Sequence, residues 1–332
     1  MPSLVTVEDL LKVYPGDIRA VDGISFEVTE GEIFGFLGPN GAGKTTTIRV
    51  LVTLLRPDGG RALVDGIDVT ESPEQVRTRI GYAAQFIGVD NDLTARENLV
   101  LQARLHGLGS GEADRRSDEL LEVLSLTEAA DRRAGTFSGG MRRRLDLGQA
   151  LVHGPRLLFL DEPTTGLDPQ TRRALWGYLT TLNERGVTIF LTTQYLEEAD
   201  ELADRLAIID AGKIAVEGTP TELKSQLGGE AISATLESSE AAERAADVLR
   251  PFSDAGESRI YDSTVRVFTA DASSRIADVV RALDTAGISV SRLELAEPSL
   301  DDVFLRHTGA RMRVDEVKPQ SRLMTARRGR SR

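Results

Sequence analysis

Gly38-Pro39-Asn40-Gly41-Ala42-Gly43-Lys44-Thr45, followed by Thr46, sets a run of glycines ahead of a lysine and two hydroxyls. It fits the pattern G-x-x-x-x-G-K-[ST]. Glycines let consecutive backbone N–H groups turn toward one anion, and a helix that starts at the lysine adds the partial positive charge of its N-terminus. Lys44 can then neutralise the β and γ phosphates of a nucleotide, and the Thr45 hydroxyl can ligate Mg²⁺. A glycine-rich turn with an incidental lysine is the alternative. The apolar run at 32–37 before the loop and the helical pattern at 44–55 after it favour the phosphate site.

A second group of candidates lies at 157–162. Leu157-Leu158-Phe159-Leu160 reads as a fully buried strand ending in Asp161-Glu162, and ligands collect at the C-terminal ends of strands in open α/β sheets. Asp161 is placed to hold Mg²⁺ directly or through water, and Glu162 to act as general base on an attacking water. Without the glycine loop, both would read as the solvated end of a core strand. Between the two groups stands Phe137-Ser138-Gly139-Gly140-Met141, where Ser138 and the amides near Gly139 and Gly140 open a helix. Such a turn is a second anion site and equally an ordinary N-cap.

The elements that must position these groups alternate. Buried strands are expected at 32–37, 80–84, 157–160, 187–192 and 206–209, with helices between them, which predicts an α/β layered fold with much of its sheet parallel. From about 88 to 155 the pattern turns mainly helical, at 96–105, 115–124 and 140–152, as an insertion carried by the core. Beyond Gly228-Gly229 the order becomes βαββαβ, with strands at 232–236, within 258–269 turning near Asp262-Ser263, and at 288–295, and helices at 240–249 and 275–286. That is the order of a ferredoxin-like module, closed by a short helix at 299–305. The expected division is 1–225, 230–309 and a basic, disordered tail at 310–332.

Composition bounds the rest. At 332 residues there is room for two domains. A net charge of −12 argues against a general nucleic-acid coat, so no nucleic-acid partner is expected. The absence of cysteine removes disulfides and thiolate metal sites and agrees with a reducing cytoplasm. The start, Met1-Pro2-Ser3-Leu4, lacks the basic and apolar runs of a secretory signal, and no stretch reaches the roughly 18 to 20 apolar residues of a membrane span. Any membrane passage is expected to come from another chain.

With these motifs in this order, residues 4–219 resemble the nucleotide-binding domain of an ATP-binding cassette (ABC) protein, a P-loop NTPase. The resemblance implies that Tyr14 stacks on adenine, although an aromatic residue there also suits a core or turn. It implies that Gln85 links Mg²⁺ and water to a transmembrane partner, that Phe137–Met141 is the family signature, and that Gly166-Leu167-Asp168 is the loop crossing between subunits. It further implies a head-to-tail homodimer in which Ser138 of one copy meets the γ-phosphate held by Lys44 of the other. Two departures stand out. The signature begins with Phe137 and ends with Met141 in place of Leu and Gln, and Gln194 occupies the position of a histidine that touches the γ-phosphate. An amide donates a hydrogen bond but does not titrate, so slower hydrolysis is expected.

Both departures, the continuation Tyr195-Leu196-Glu197-Glu198-Ala199-Asp200 and the run 297–305 (Glu-Pro-Ser-Leu-Asp-Asp-Val-Phe-Leu) resemble the daunorubicin/doxorubicin-resistance type of ABC exporter ATPase. What that implies is an ATP- and Mg²⁺-dependent ATPase subunit on the cytoplasmic face of the membrane, driving export of drug-like cargo through a separate permease. A lipid or polysaccharide exporter would share every catalytic residue. A soluble ABC ATPase would usually carry two cassettes or a long coiled-coil insertion, and neither is visible. The C-terminal module is expected to stabilise the dimer, with small-molecule sensing as the alternative.

Overall fold

The computed structural model describes residues 2–254 and 256–309, so the basic tail expected at 310–332 lies outside the described residues. The chain opens with two long antiparallel strands, β1 (Ser3–Tyr14) and β2 (Ile18–Thr29). Next comes β3 (Ile33–Leu37), buried at every residue, which feeds the glycine loop and then α1 (Lys44–Leu51). This helix stops four residues short of the expected end at Leu55. The chain leaves it at Thr53 (φ 65°), the amides of Leu54 and Leu55 both turn back to the Arg49 carbonyl, and Pro57 disfavours helix at the residue before it.

Strands β4 (Gly59–Val64) and β5 (Ile67–Asp68) complete an antiparallel sheet of order β2-β1-β4-β5. After α2 (Pro73–Arg79) and β6 (Ile80–Ala83) the chain becomes helical: α3 (Ala95–Leu105), α4 (Ser110–Val123) and α5 (Gly139–Leu151). A capping box, Thr94 with Glu97, starts α3. The chain returns to alternation with β7 (Leu157–Asp161), α6 (Pro169–Glu184), β8 (Thr188–Thr193), α7 (Leu196–Leu202), β9 (Arg205–Asp210), β10 (Lys213–Gly218) and α8 (Pro220–Ser225).

The second sheet runs β10-β9-β3-β8-β7-β6, parallel throughout except for the antiparallel edge strand β10. Strands β3, β7 and β8 are buried along their whole length, as expected where both faces are covered. One face packs on the antiparallel sheet through aromatic rings: Phe26 of β2 lies 5.6 Å from Phe34 of β3 and 5.9 Å from Phe190 of β8. The other face takes the helical insertion and α6.

A third sheet is built by β11 (Glu230–Leu236), α9 (Ser239–Leu249), β12 (Ser258–Tyr261), β13 (Thr264–Thr269), α10 (Ala272–Thr285) and β14 (Val290–Ala296). Its order, β12-β13-β11-β14 with antiparallel neighbours, is the ferredoxin-like arrangement expected of βαββαβ. Finally α11 (Leu300–Thr308) turns back, and Leu300, Val303 and Phe304 pack with Leu37, Ala199, Leu206 and Leu223. That cluster welds the third sheet to the strand that carries the glycine loop.

Candidate functional site

The glycine loop is tight where the sequence requires glycine. A Cβ on Gly38 would stand 2.3 Å from the Ile209 carbonyl oxygen, and one on Gly43 would stand 2.3 Å from that of Ala20. Gly41 and Gly43 have φ of 82° and 112°, a region costly for L side chains. The loop closes round Lys44, whose Nζ donates to the carbonyls of Gly38 (2.7 Å) and Pro39 (3.0 Å). The N-terminus of α1 has no side-chain cap, which leaves it open to an anion.

At the ends of β7 and β8 the acidic groups gather beside this lysine. Glu162 Oε1 lies 3.2 Å from Lys44 Nζ, and Glu162 Oε2 accepts from Gln85 Nε2 (3.2 Å) and from the Thr165 hydroxyl (3.3 Å). Asp161 accepts from the Thr45 hydroxyl (3.1 Å) and from Thr192 (2.7 Å). Burial pulls the Lys44 ammonium below its ordinary value, while Glu162 and Asp161 act in the opposite direction. Glu162 itself sits at φ 48°, an uncommon conformation for a non-glycine residue and one that clusters at functional sites. Its amide is held by the Thr192 hydroxyl (3.0 Å). Tyr14 reaches the same corner, its hydroxyl 3.5 Å from that of Thr46.

Lys44, Thr45, Gln85, Asp161 and Glu162 thus form one cluster, with Tyr14 and Thr46 at its edge. Gln194 follows β8 directly, 3% exposed, and its Oε1 is buried without a hydrogen-bond partner. Ser138, Gly139, Gly140 and Asp168 form a second cluster. Ser138 caps α5 by accepting from the Met141 amide (3.2 Å). Asp168 caps α6 by accepting from the Thr171 amide (3.0 Å) and hydroxyl (2.6 Å). The two helix heads meet at Gly140, where a Cβ would stand 2.3 Å from Thr171 Cγ2. Ser138, Gly140 and Met141 line a cleft with Leu167 and Thr171 that includes no residue of the glycine loop.

Several participants had no sequence signal. Thr192 bridges Asp161 and Glu162, yet reads locally as one more β-branched strand residue. Arg172 of α6 stacks over the Tyr195 ring at 4.3 Å, tying the helix after Asp168 to the segment after Gln194. Trp176 donates to the fully buried Glu198 (3.1 Å) across the same pair of elements.

The family model described as "ABC transporter" matches residues 21–165, and that of the C-terminal domain of "ATP-binding protein DrrA1-3-like" matches 218–308. Over 320 residues the chain is 46% identical to the daunorubicin resistance ATP-binding protein DrrA2 of Streptomyces coeruleorubidus, covering 95% of this chain and 98% of that one. The chain belongs to the ABC transporter ATP-binding proteins.

Within that family this ATPase subunit is also similar to the daunorubicin/doxorubicin resistance ATP-binding protein of Streptomyces peucetius, at 46% identity over 92% of each chain. Among solved structures it is similar to an ABC cassette in its ADP conformation (TM-score 0.60, 27% identity, 67% of this chain and 93% of that one). It is also similar to a dimeric cassette in a post-hydrolysis state bound to ADP and Pi (TM-score 0.59, 26% identity, 65% and 98%). ABC cassettes dimerise, bind and hydrolyse ATP, and work with a separate transmembrane subunit. In this cassette no helix among the described residues is long and apolar enough to cross a membrane.

Proposed function

We propose that the cassette hydrolyses ATP at a site shared by two copies of the chain and so drives efflux of drug-like molecules through a separate permease. The reading is carried by Glu162, held between Lys44 and Gln85 at 3.2 Å from each. When nucleotide enters, phosphate oxygens replace Glu162 and the loop carbonyls as partners of Lys44. The freed carboxylate takes a proton from water as the water oxygen bonds to the γ-phosphorus and the bond to ADP breaks. Tyr14 packs on the base, and Gly38 to Thr46 cradle the phosphates. Ser138, Gly139 and Gly140 of the second copy close on the γ-phosphate, with Asp168 at the crossing between copies, and Gln194 donates to the phosphate from its buried position.

The donor set suits Mg²⁺: a hydroxyl (Thr45) and a carboxylate (Asp161) are in contact, and Gln85, whose amide could offer its oxygen, donates through its nitrogen to the neighbouring Glu162. Thr45 and Asp161 would hold the cation, with substrate phosphates supplying further oxygen ligands. Bound there, it would supply neutralising charge to the β and γ phosphates.

The division at about 225, with residues 230–309 as a dimer-stabilising module, and a place on the cytoplasmic face of the membrane complete the reading. Co-expression with the membrane subunit is expected to lower cellular accumulation of an anthracycline, and Glu162→Gln to abolish the effect. Unchanged accumulation in the wild-type pair would remove drug export and leave the ATPase untouched.

A further inference from the structure

The signature continues as Arg142-Arg143-Arg144, and the middle arginine is not a surface residue. Arg143 is 3% exposed, and its guanidinium reaches three separate pieces of the cassette. Nε donates to the Pro163 carbonyl (2.9 Å), next to Glu162. Nη1 donates to the Ala84 carbonyl (2.6 Å), next to Gln85, and to Asp146 Oδ2 (3.0 Å) one turn along α5. The other oxygen of Asp146 accepts from the Gly88 amide (2.9 Å).

The Arg143–Asp146 pair therefore grips both ends of the segment 84–88. That segment carries Gln85, which donates to Glu162, and it presents Phe86 (84% exposed) and Ile87 to solvent.

A buried ion pair is a poor device for stability alone, because desolvation offsets much of the attraction. Here Nη2 is also buried without a partner. A guanidinium earns such a position through geometry, since its planar fork can bind several fixed acceptors at once.

We propose that Arg143, with Asp146, is a positioning residue: it locks the helix headed by Ser138 to the Gln85 segment and to the Glu162 turn, so that the three move as one unit. The proposal rests on Gln85 and Glu162 having the roles given above. Any rotation of α5 during closure is then transmitted to the general base and to the exposed Phe86-Ile87 step together.

The test uses the full-length chain with MgATP and two variants. Arg143→Met/Asp146→Leu removes both charges and fills the volume, so no unpaired buried charge remains. Arg143→Lys keeps the charge but lacks the fork, and it decides the question if the double variant does not fold. The expected result is kcat lowered about ten- to a hundredfold, as for catalytic groups held out of register. It comes with KM for ATP and the melting temperature near wild type, and with faster amide exchange confined to 84–88.

A folded variant that hydrolyses ATP at the wild-type rate overturns the proposal. So does a slowed variant in which exchange at 84–88 is unchanged. Failure of the underlying reading is separately visible, as wild-type turnover in Glu162→Gln.

Discussion

Lys44 Nζ lies 3.2 Å from Glu162 Oε1, and both side chains are almost excluded from water, at 4% and 7% exposure. The charge that would hold the γ-phosphate and the carboxylate that would activate water therefore neutralise one another until substrate separates them. Glu162→Gln removes the base but leaves an amide of the same shape beside Lys44 and Gln85. Phosphate release is expected to fall by about 10² to 10⁴, the usual share of a general base, while ATP binding persists. Turnover within about threefold of wild type would contradict this role.

Gln194→His restores a titratable ring at a site whose present occupant leaves Oε1 buried and unpaired. ATP turnover is expected to rise by a few fold up to about tenfold, the scale of one added polar contact in the transition state. A steady-state phosphate assay decides it, and an unchanged or lower rate removes the explanation offered for the missing histidine.

Gly140→Ala places a Cβ 2.3 Å from Thr171 Cγ2, so either the Thr171 side chain turns and loses its hydroxyl bond to Asp168 or the heads of α5 and α6 move apart. Overpacking of this kind costs about 1 to 3 kcal/mol, measurable as a lower denaturant midpoint. Turnover should fall as well, because Ser138 and Asp168 cap these same two helices. Wild-type stability would mean that the two heads are not wedged together.

His153 gives the fold a pH dependence. Its ring stacks on His106 with centroids 4.0 Å apart, and its Nε2 lies 3.0 Å from the Ile80 carbonyl. Burial, followed by the charge of His106, pushes its pKa down to about 4. Below the unfolded value of about 6.5 the denatured chain takes up a proton that the native imidazole refuses. Its contribution is therefore fully present above about pH 6.5 and is lost as pH falls toward about 4. Urea unfolding at about pH 7 and about pH 4.5 should show this loss in the wild type and a flatter profile in His153→Gln; parallel profiles would contradict it.

The readable parts of the molecule are those whose signal is local. Glycines at 38, 41 and 43 between a buried strand and a helix announce a phosphate loop because only that backbone needs them. The C-terminal module shows itself through short amphipathic segments in βαββαβ order. Strands β1 and β2 escape notice because Glu8-Asp9 interrupts the pattern and the register shifts between Val7 and Leu10, with Asp9 at φ 47°. Arg143 is not singled out by the sequence, since two of its three acceptors, the Ala84 and Pro163 carbonyls, lie 59 and 20 residues away in the chain. Thr192 and Glu198 are hidden for the same reason: long-range partners leave no periodicity.

The composite site is the central claim. In this single chain Ser138 and Lys44 belong to separate clusters, and on the proposed reading a second copy completes the site. Lys44→Ala removes one half and Ser138→Arg the other, and each variant alone should bind little ATP or fail to close on it. Mixed in equal amounts and allowed to exchange, half of the dimers should pair an intact Lys44 loop with an intact Ser138 turn, which restores about a quarter of wild-type turnover if one intact site suffices. ATPase activity that stays at the level of the separate variants after exchange, with heterodimers demonstrated by differently tagged copies, would contradict the shared site.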